Sequence, residues 1–437
     1  MTLIEKIAGR TARVGVIGLG YVGLPLAVTA ARAGFAVTGF DVDASKADRL
    51  SAGESYIEAV SNTDLAQVGE YFDWTTDFAR LSQMNVIVIC VPTPLTRQRE
   101  PDLSFVENTA HMIAQHMAPG TLVALESTTW PGTTREVLIP ILETSGLKNG
   151  VDFFAGFSPE REDPGNATFR TRTIPKIVAG DGPQAGDLME AFYAAVVETV
   201  VRVPDTATAE AVKITENIFR SVNIALVNEL KLIYEPMGID VWDVIKGAAT
   251  KPFGYMPFYP GPGLGGHCIP IDPFYLTWRA RAFDVPTRFI ELAGEINTAM
   301  PRHVIDRLRE VLDRATGRGL NGARILLVGV AYKKNVSDMR ESPSMRLMQL
   351  MEEAGATVEF LDPHVPELPV MREYGQLHAR QALAPEAVAG AGIDAVLIAT
   401  DHDAIDYAAL LELGCPVIDT RNAIAGRSLP MAHVTKA

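Results

Sequence analysis

Residues 13–23 read Arg13-Val-Gly-Val-Ile-Gly-Leu-Gly-Tyr-Val-Gly23, a short apolar run that passes directly into a glycine turn. The composition of Leu24–Ala33 is helical, and a second apolar run, Phe35–Phe40, ends in Asp41. The order of strand, Gly-x-Gly-x-x-Gly turn, helix, strand and acid is the context in which this glycine pattern predicts dinucleotide binding. The alternative is a glycine turn in a helix-covered sheet that binds no ligand.

Each glycine of this turn has a stereochemical reason. Gly18 permits the tight turn, Gly20 lets the backbone approach a pyrophosphate, and Gly23 allows the helix to pack closely on the strand. The N-terminus of the helix offers backbone N–H groups to the same anion. Asp41 is placed to bond a ribose 2′-hydroxyl and would repel a 2′-phosphate, so the sequence favours NAD over NADP.

Strand-like and helix-like segments alternate from Ala12 to about Asp205, as expected for a parallel sheet covered on both faces. The later apolar runs of this region are Val86–Val91, Thr121–Glu126, Phe153–Phe157 and Lys176–Ala179. A long helical stretch then runs from about Ala207 to Met237, and we expect it to bridge two domains and to contribute to a subunit interface. Residues 286–312 also have helical periodicity.

The stretch Ala323-Arg-Ile-Leu-Leu-Val-Gly-Val-Ala331 repeats the character of residues 12–20, with Gly329 matching Gly18 and Ala331 matching Gly20. Asp362 follows a second apolar run, as Asp41 does in the first copy. This repeat predicts a second nucleotide-binding-type unit with an altered glycine turn. The further strands that we expect in this unit are Ala395–Ala399 and Pro416–Asp419.

The loop of the second copy is basic, because it carries Lys333, Lys334 and Arg340. Positive side chains can replace backbone N–H groups in holding phosphate. A solvated basic loop is the alternative.

These observations predict an α/β protein with two Rossmann-like, doubly wound parallel-sheet domains, joined by a long central helix and a helical dimerisation region. We expect an N-terminal domain at residues 1–205, a central helical domain at 206–317 and a C-terminal domain at 318–437.

The bulk properties exclude several classes of protein. The formal net charge of −14 over 437 residues argues against non-specific binding of nucleic acid or anionic membranes. Three scattered cysteines do not form a disulfide framework or a zinc spacing, which indicates a reducing cytosol and no metal site. We expect neither a signal peptide in Met1–Ala12 nor a membrane span, because no apolar run is long enough.

The stretch Gly261-Pro-Gly-Leu-Gly-Gly-His-Cys-Ile-Pro-Ile-Asp272 presents Cys268 on a glycine-rich loop, with the carboxylate of Asp272 four residues on. Glycines let the backbone fold tightly and let a bulky ligand reach the sulfur. A thiol that forms a covalent intermediate with a substrate carbonyl requires this access. The alternative is a Pro/Gly surface loop with an incidental cysteine.

Four further residues are candidates for catalysis. Lys213 and Asn217 share one face of the long helix, where they form either a wet edge or, beside a reactive thiol, an oxyanion clamp. Thr129 and Glu160 lie in loops that follow strands of the first sheet, where ligands of an open parallel sheet gather. The Thr129 hydroxyl is a candidate to position a water or the nicotinamide amide, and the Glu160 carboxylate is a candidate general base. The alternative is that both loops are simple turns.

Together these segments resemble the UDP-glucose/GDP-mannose dehydrogenase family, from Val14 to about Arg421. The motifs that carry the resemblance are Gly18-Leu-Gly-Tyr-Val-Gly23, Val91-Pro-Thr-Pro94, Gly263-Leu-Gly-Gly-His-Cys268 with Asp272, and Gly329-Val-Ala-Tyr-Lys-Lys334 with Arg340. The resemblance implies two NAD-binding-like domains, a central helix that forms the core of a homodimer, and oxidation of a sugar C6 alcohol to a carboxylate with release of two NADH. It also implies that the C-terminal domain binds the UDP-sugar substrate.

The resemblance implies catalytic roles for Cys268, Lys213, Asn217, Asp272, Glu160 and Thr129. The cysteine would form a thiohemiacetal and then a thioester with the sugar C6. The lysine and the asparagine would stabilise the oxyanion, and the aspartate would assist proton transfer near the thiol. The glutamate and the threonine would handle the hydrolytic water.

Binding roles are implied in the same way. The positions that match cofactor contacts are Gly18, Gly20, Tyr21, Val22, Asp41, Lys46, Thr93, Thr129 and Arg340. The positions that match substrate contacts are Glu160, Arg161, Lys213, Asn217, Gly265, Lys333 and Arg421.

The choice of sugar depends on finer similarities. His267, Pro159-Glu-Arg161 and the stretch 268–275 resemble the branch that acts on UDP-N-acetylhexosamines, and residues 92–104 are similar to UDP-N-acetylglucosamine 6-dehydrogenases in particular. Pro252 stands where the UDP-glucose branch has an arginine that reaches a partner's sugar. The resemblance therefore implies UDP-N-acetyl-D-glucosamine as the substrate.

Four alternatives remain open. UDP-N-acetylmannosamine and UDP-glucose are other substrates of the same family. A two-electron alcohol or hydroxy-acid dehydrogenase would leave Cys268 structural, and a nucleotide-sugar sensor would bind without turnover.

Overall fold

The computed structural model describes residues 1–57, 59–96, 100–161, 171–266, 268–371 and 374–437, and of Cys268 it describes the backbone alone. The chain forms two compact units. Unit 1 comprises Met1–Glu216 and Ile271–Pro286, and unit 2 comprises Asn217–Pro270 and Thr287–Ala437. Among the described residues, no helix combines the length and the apolar character that crossing a lipid bilayer requires.

Unit 1 is built on one eight-stranded sheet. Its strands are β1 (Arg13–Ile17), β2 (Ala36–Phe40), β3 (Phe72–Thr75), β4 (Val86–Ile89), β5 (Thr121–Leu125), β6 (Phe153–Phe157), β7 (Lys176–Gly180) and β8 (Val200–Arg202). Its helices are α1 (Leu3–Ala8), α2 (Gly23–Arg32), α3 (Ala44–Ser51), α4 (Asn62–Gln67), α5 (Ser104–His116), α6 (Ile139–Leu142) and α7 (Pro183–Val196). The strand order is β3-β2-β1-β4-β5-β6-β7-β8.

The first six positions in this order form the doubly wound arrangement that the sequence predicts. The central strand β4 shows that helices cover both faces of the sheet, because all four of its residues are apolar and fully buried. A strand that is covered on both faces has no reason to alternate apolar with polar residues. The predicted fold class is confirmed.

One strand departs from the predicted parallel arrangement. β7 pairs with β6 in the antiparallel sense, with Gly156 opposite Gly180 and Phe157 opposite Ala179. The apolar run at β7 identifies a strand, but its composition does not encode its direction. The short strands β3 and β8 were not predicted.

Unit 2 contains a five-stranded parallel sheet in the order β10-β9-β11-β12-β13. These strands are β9 (Arg324–Val328), β10 (Thr357–Leu361), β11 (Ala395–Ile398), β12 (Val417–Asp419) and β13 (Val434–Lys436), the last of which was not predicted. The remaining helices are α8 (Thr206–Tyr234), α9 (Val241–Ala248), α10 (Cys268–Arg281), α11 (Arg288–Thr316), α12 (Pro343–Glu353), α13 (Tyr407–Leu411) and α14 (Ala423–Gly426). Short 3₁₀ or π turns occupy Phe78–Gln83, Thr134–Leu138, Glu143–Ser145, Glu235–Met237, Gly375–Leu377 and Pro385–Gly390.

The long central helix is α8, which has 29 residues and confirms the predicted helical stretch. The repeat between the two sheets is also structural. The N–H of Gly18 donates to the carbonyl of Phe40 at 2.8 Å, and the N–H of Gly329 donates to the carbonyl of Leu361 at 2.9 Å. The two turns therefore close onto the neighbouring strand in the same way.

The prediction that Cys268 lies on the glycine-rich loop is corrected by the structure. Cys268 is the first residue of α10, and Asp272 lies one turn later in the same helix. The structure therefore places the backbone of this cysteine at a helix N-terminus instead of inside the loop. His267 lies outside the described residues, as do residues 162–165 of the loop that follows Glu160 and residues 97–99 of the segment that suggested the sugar.

Candidate active site

The glycine turn of unit 1 leaves room for a pyrophosphate. A Cβ at Gly18 would lie 2.7 Å from the carbonyl oxygen of Cys90, and one at Gly23 would lie 1.9 Å from the carbonyl oxygen of Gly18. A Cβ at Gly20 would meet nothing within 4 Å. Two glycines are thus required by packing, and the third borders open space.

The helix behind this turn is suited to an anion. α2 begins at Gly23, and no side chain caps its N-terminus, because Val22 occupies the cap position. The N–H of Leu24 already donates to the carbonyl of Gly20 at 3.2 Å and Pro25 has no N–H, so a phosphate would meet the N–H of Gly23 and the positive end of the helix dipole. Tyr21 is 39% exposed in the same turn. These residues fit the pyrophosphate of NAD.

Asp41, directly after β2, is held by hydrogen bonds that do not use all of its acceptor sites. Oδ2 of Asp41 accepts from the N–H of Leu19 at 2.8 Å and from Nζ of Lys46 at 2.7 Å, and Oδ1 accepts from the N–H of Asp43 at 3.0 Å. A carboxylate has about four acceptor sites, so one remains for a ribose hydroxyl. Val42 is 78% exposed beside it, which suits an apolar contact with an adenine. A contact of this valine was not predicted, although an apolar residue directly after the acid is a visible signal.

The loop after β5 carries a buried hydroxyl. Thr129 is fully buried, and among the described residues its Oγ1 has no hydrogen-bond partner. Such a group is unfavourable unless it serves a ligand or a water. Thr93 is also buried, and its carbonyl accepts from the hydroxyl of Tyr275 at 3.0 Å.

Glu210 of α8 holds the loop that follows β5. This residue was not predicted from the sequence. Its carboxylate accepts from the N–H of Gly132, from the N–H of Thr134 at 2.8 Å and from the Thr134 hydroxyl at 2.7 Å. Burial raises the pKa of Glu210 to about 7, although these three donors act in the opposite direction. The signal in the sequence is a carboxylate three residues before Lys213 on the apolar side of the helix.

Glu160 belongs to a buried ionic cluster. Nζ of Lys176 lies 3.2 Å from Oε2 of Glu160 and 2.9 Å from Oε2 of Glu126. The neighbouring Arg161 pairs with Glu216 at 2.5 Å. Glu160 is therefore in a charged, water-poor environment, as a general base in an enzyme often is.

Lys213 and Asn217 are 8% and 6% exposed, so they do not form a wet edge of α8. Asp272 is buried on α10. Buried donors and acceptors of this kind require partners, either in the protein or in a ligand.

In unit 2 a glycine loop packs against basic and aromatic residues. A Cβ at Gly261 would lie 2.5 Å from a guanidinium nitrogen of Arg421, and a Cβ at Gly265 would lie 2.6 Å from Cβ of Tyr332. Burial lowers the pKa of Arg421, whose Nε donates to the carbonyl of Ala399 at 2.8 Å. The half-buried arginine, packed closely against the glycine loop, fits a phosphorylated ligand.

The basic loop of unit 2 is only partly available to such a ligand. Lys334 pairs with Asp403 at 2.6 Å, and Arg340 pairs with Asp338 at 2.6 Å. Lys333 is half-buried.

The candidate residues divide between the two units. Unit 1 contains Gly18, Gly20, Tyr21, Val22, Asp41, Lys46, Thr93, Thr129, Glu160, Arg161, Lys213 and Asp272, and unit 2 contains Asn217, Gly265, Cys268, Lys333, Arg340 and Arg421.

Three domain families match the chain in succession. Residues 12–197 match the NAD binding domain of the UDP-glucose/GDP-mannose dehydrogenase family, residues 207–299 match its central domain, and residues 326–426 match its UDP binding domain.

Individual relatives agree with this assignment. The chain is 36% identical to the UDP-N-acetyl-D-glucosamine 6-dehydrogenase of Pseudomonas aeruginosa over 83% of this chain and 85% of that protein. It is 34% identical to the UDP-N-acetyl-D-mannosamine dehydrogenase of Pyrococcus horikoshii over 89% of both. A solved structure of the UDP-D-ManNAc dehydrogenase from Pyrococcus horikoshii superimposes with a TM-score of 0.85 at 33% identity, covering 94% of this chain and 96% of that one.

The matched domains agree with the geometry of the site. The glycine turn with its open Gly20 and the partly free Asp41 lie in the NAD binding domain, and Arg421 lies in the UDP binding domain. The chain belongs to the UDP-glucose/GDP-mannose dehydrogenase family and is an NAD-dependent oxidoreductase with the NAD binding, central and UDP binding domains of that family.

Proposed function

We propose that this chain oxidises the C6 hydroxyl of UDP-N-acetyl-D-glucosamine to the carboxylate of UDP-N-acetyl-D-glucosaminuronic acid. The reaction consumes two NAD⁺ and one water for each sugar and yields two NADH. The observation that carries the proposal is Cys268 at the first residue of α10, one turn before Asp272. A nucleophile at a helix N-terminus suits a four-electron oxidation through a covalent intermediate, which a two-electron dehydrogenase does not need.

Unit 1 would bind the cofactor through the turn at Gly18 and Gly20, the N-terminus of α2, and the remaining acceptor site of Asp41. Bound NAD⁺ accepts a hydride from the sugar C6 in each of the two oxidations. Tyr21, Val22, Lys46, Thr93, Thr129 and Arg340 belong to the same proposal as further cofactor contacts. Thr129 is supported by its buried hydroxyl, which has no hydrogen-bond partner in the part of the chain that the structure describes.

In the second half of the reaction the thiolate of Cys268 bonds to the C6 aldehyde carbon. Lys213 and Asn217 stabilise the oxyanion of the resulting thiohemiacetal, and Asp272 assists proton transfer at the thiol. Loss of hydride leaves a thioester. Thr129 then positions a water, Glu160 takes a proton from that water as it attacks the thioester carbon, and the sulfur leaves as thiolate.

The substrate contacts are also proposals. Lys333, Arg421 and Gly265 of unit 2 would hold the nucleotide diphosphate, and Glu160, Arg161, Lys213 and Asn217 would contact the sugar. The domain bounds 1–205, 206–317 and 318–437 belong to the same proposal.

We also propose that the chain forms a homodimer through α8. Phe219, Leu226 and Ile233 are seven residues apart and are 47%, 48% and 43% exposed. A seven-residue spacing gives a continuous apolar stripe on one face of a helix, and such a stripe packs stably against a second helix.

The decisive experiment is the yield of NADH per mole of UDP-N-acetyl-D-glucosamine consumed, with the product identified by mass. Two NADH and a uronic acid are expected, together with a stalled or abolished second oxidation in Cys268→Ala. One NADH per sugar, or full activity of that variant, would contradict the proposal.

The second candidate substrate is UDP-N-acetyl-D-mannosamine, because one relative with 34% identity is named as a dehydrogenase of that sugar. Comparison of kcat/KM for both epimers and for UDP-glucose distinguishes them.

A further inference from the structure

A lysine in unit 1 is buried between two carboxylates. Nζ of Lys176 lies 2.9 Å from Glu126 and 3.2 Å from Glu160. The other oxygen of Glu126 accepts from the hydroxyl of Tyr193 at 2.5 Å. The four residues are 4%, 1%, 7% and 0% exposed in the order Lys176, Glu126, Glu160 and Tyr193. They form a chain of hydrogen bonds that ends at the candidate general base.

The antiparallel strand creates this contact. Gly156 is opposite Gly180 and Phe157 is opposite Ala179, so the same register continued by three residues places Glu160 opposite Lys176. The hydroxyl of Ser158 donates to the carbonyl of Ile177 at 2.8 Å and extends the pairing beyond β6. A parallel β7 would carry its first residue to the other end of the sheet.

The cluster holds one cation against two carboxylates. Burial by itself would lower the pKa of Lys176, but the two carboxylates raise it above its usual value, so the ammonium stays charged. Burial raises the pKa of Glu126, and Lys176 opposes that rise. Cys90, directly after β4, lies near the same cluster, because Glu126, Lys176 and Glu160 all act on the pKa of its thiol. Removal of the lysine would leave two uncompensated carboxylates, whereas removal of one carboxylate would leave a balanced pair.

We propose that Lys176 is a positioning residue for Glu160: it orients the carboxylate and keeps it ionised, while Glu126 and Tyr193 anchor the lysine. The inference rests on the proposed function, in which Glu160 accepts a proton from the hydrolytic water. The second oxygen of Glu160 accepts from the N–H of Arg161 at 2.6 Å, so the carboxylate is fixed from both sides. A general base has to be both ionised and aligned to take a proton.

The test compares Lys176→Met with Glu126→Gln in single-turnover experiments with UDP-N-acetyl-D-glucosamine and excess NAD⁺. Loss of the cation makes ionisation of Glu160 harder, and loss of the neighbouring negative charge makes it easier. We expect the acid limb of thioester hydrolysis to move to higher pH in Lys176→Met and to lower pH in Glu126→Gln. At neutral pH we expect hydrolysis in Lys176→Met to slow by about tenfold or more, with the thioester visible by mass after an acid quench.

Opposite shifts are the signature that a merely structural role would not produce. Shifts in the same direction, or unchanged profiles in both variants, would overturn the inference. Lys176→Arg, which keeps the charge, is the matched control and should retain most of the hydrolysis rate. If Lys176→Met does not fold, the acid shift expected for Glu126→Gln decides the matter.

A measurement without substrate separates this inference from the proposed function. Infrared difference spectra at neutral pH, variant minus wild type, should show an additional buried carboxylic acid in Lys176→Met that is lost in Lys176→Met/Glu160→Gln. An additional band that persists in the double variant belongs to another carboxyl and would contradict the inference. A wild type that shows the expected spectra but forms no thioester would instead contradict the proposed function.

Discussion

His402 covers the carboxylate of Asp362: its Nε2 lies 3.0 Å from Oδ2 of the aspartate, and both side chains are fully buried. Asp362 also accepts from the N–H groups of Val330, Ala331, His364 and Val365. These donors saturate a group with about four acceptor sites. Asp41, at the equivalent position of the first sheet, has three donors within the described ranges of the chain. We therefore expect that Asp41, and not Asp362, receives a ribose.

The two acids give a matched pair of variants. Asp41→Asn should weaken NAD binding by about 10- to 100-fold, because a hydrogen bond to a charged acceptor contributes about 1.5–3 kcal/mol. Asp362→Asn should leave the Kd for NAD unchanged and lower the thermal stability. Isothermal titration should also give one NAD per chain. Two NAD per chain, or a raised Kd in Asp362→Asn, would contradict this assignment.

The glycines of the turn should respond differently to alanine. Gly20→Ala places a methyl group in open space, so the fold should keep its Tm while NAD affinity falls at least tenfold. Gly23→Ala should lower the Tm by several degrees, because its Cβ would lie 1.9 Å from the carbonyl oxygen of Gly18. Thermal unfolding without cofactor and NAD titration of both variants check the prediction. Equal loss of stability in both would show that Gly20 is a packing residue.

A charge in the apolar stripe of α8 should prevent the proposed dimer. Leu226→Glu should halve the mass measured by light scattering at micromolar concentration, because the carboxylate would be buried without a partner. Leu226→Met keeps the apolar surface and should remain dimeric. A dimer in Leu226→Glu would show that the stripe is not the interface.

We expect Lys231 of α8 to destabilise unit 2. It is 5% exposed, and among the described residues its Nζ has no hydrogen-bond partner. Burial lowers its pKa to about 8 from the usual 10.5. The unfolded chain therefore binds more protons between these two values, and the contribution of this group to stability rises with pH from about 8 to about 10.5.

Lys231→Met should raise the free energy of unfolding at pH 7 by about 1–3 kcal/mol, since methionine fills a similar volume without a charge. The difference from the wild type should shrink above pH 8. Denaturant unfolding at pH 7 and pH 10 checks both statements. A variant less stable than the wild type at pH 7 would mean that the ammonium has a favourable partner.

Glu210 should make stability depend on pH in the acidic range. Its pKa is raised from 4.5 to about 7, so the folded state binds more protons between these values and this contribution to stability falls as pH rises through them. Glu210→Gln removes the titration but turns an amide toward two backbone N–H donors. We expect a loss of about 1–3 kcal/mol that is larger at pH 5 than at pH 8, measured by denaturant unfolding. A pH-independent loss would contradict the raised pKa.

The sequence alone determined the features that depend on neighbours along the chain. The glycine turn and the apolar run of β4 are local patterns that predicted their own elements, and the acid after β2 predicted the choice of NAD. The repeat at Gly329 predicted the second sheet for the same reason. The length of α8 followed from its continuous helical periodicity.

Only the tertiary structure decided which distant side chains meet. The antiparallel direction of β7 brings Lys176 to Glu160, α8 carries Glu210 to the loop at Gly132, and a later strand of unit 2 brings His402 to Asp362. Periodicity records whether a residue is buried, but not the direction of its strand or the partner that it finds there. Those are set by packing between segments far apart in sequence, where the low polarity of the interior makes each charge require a partner.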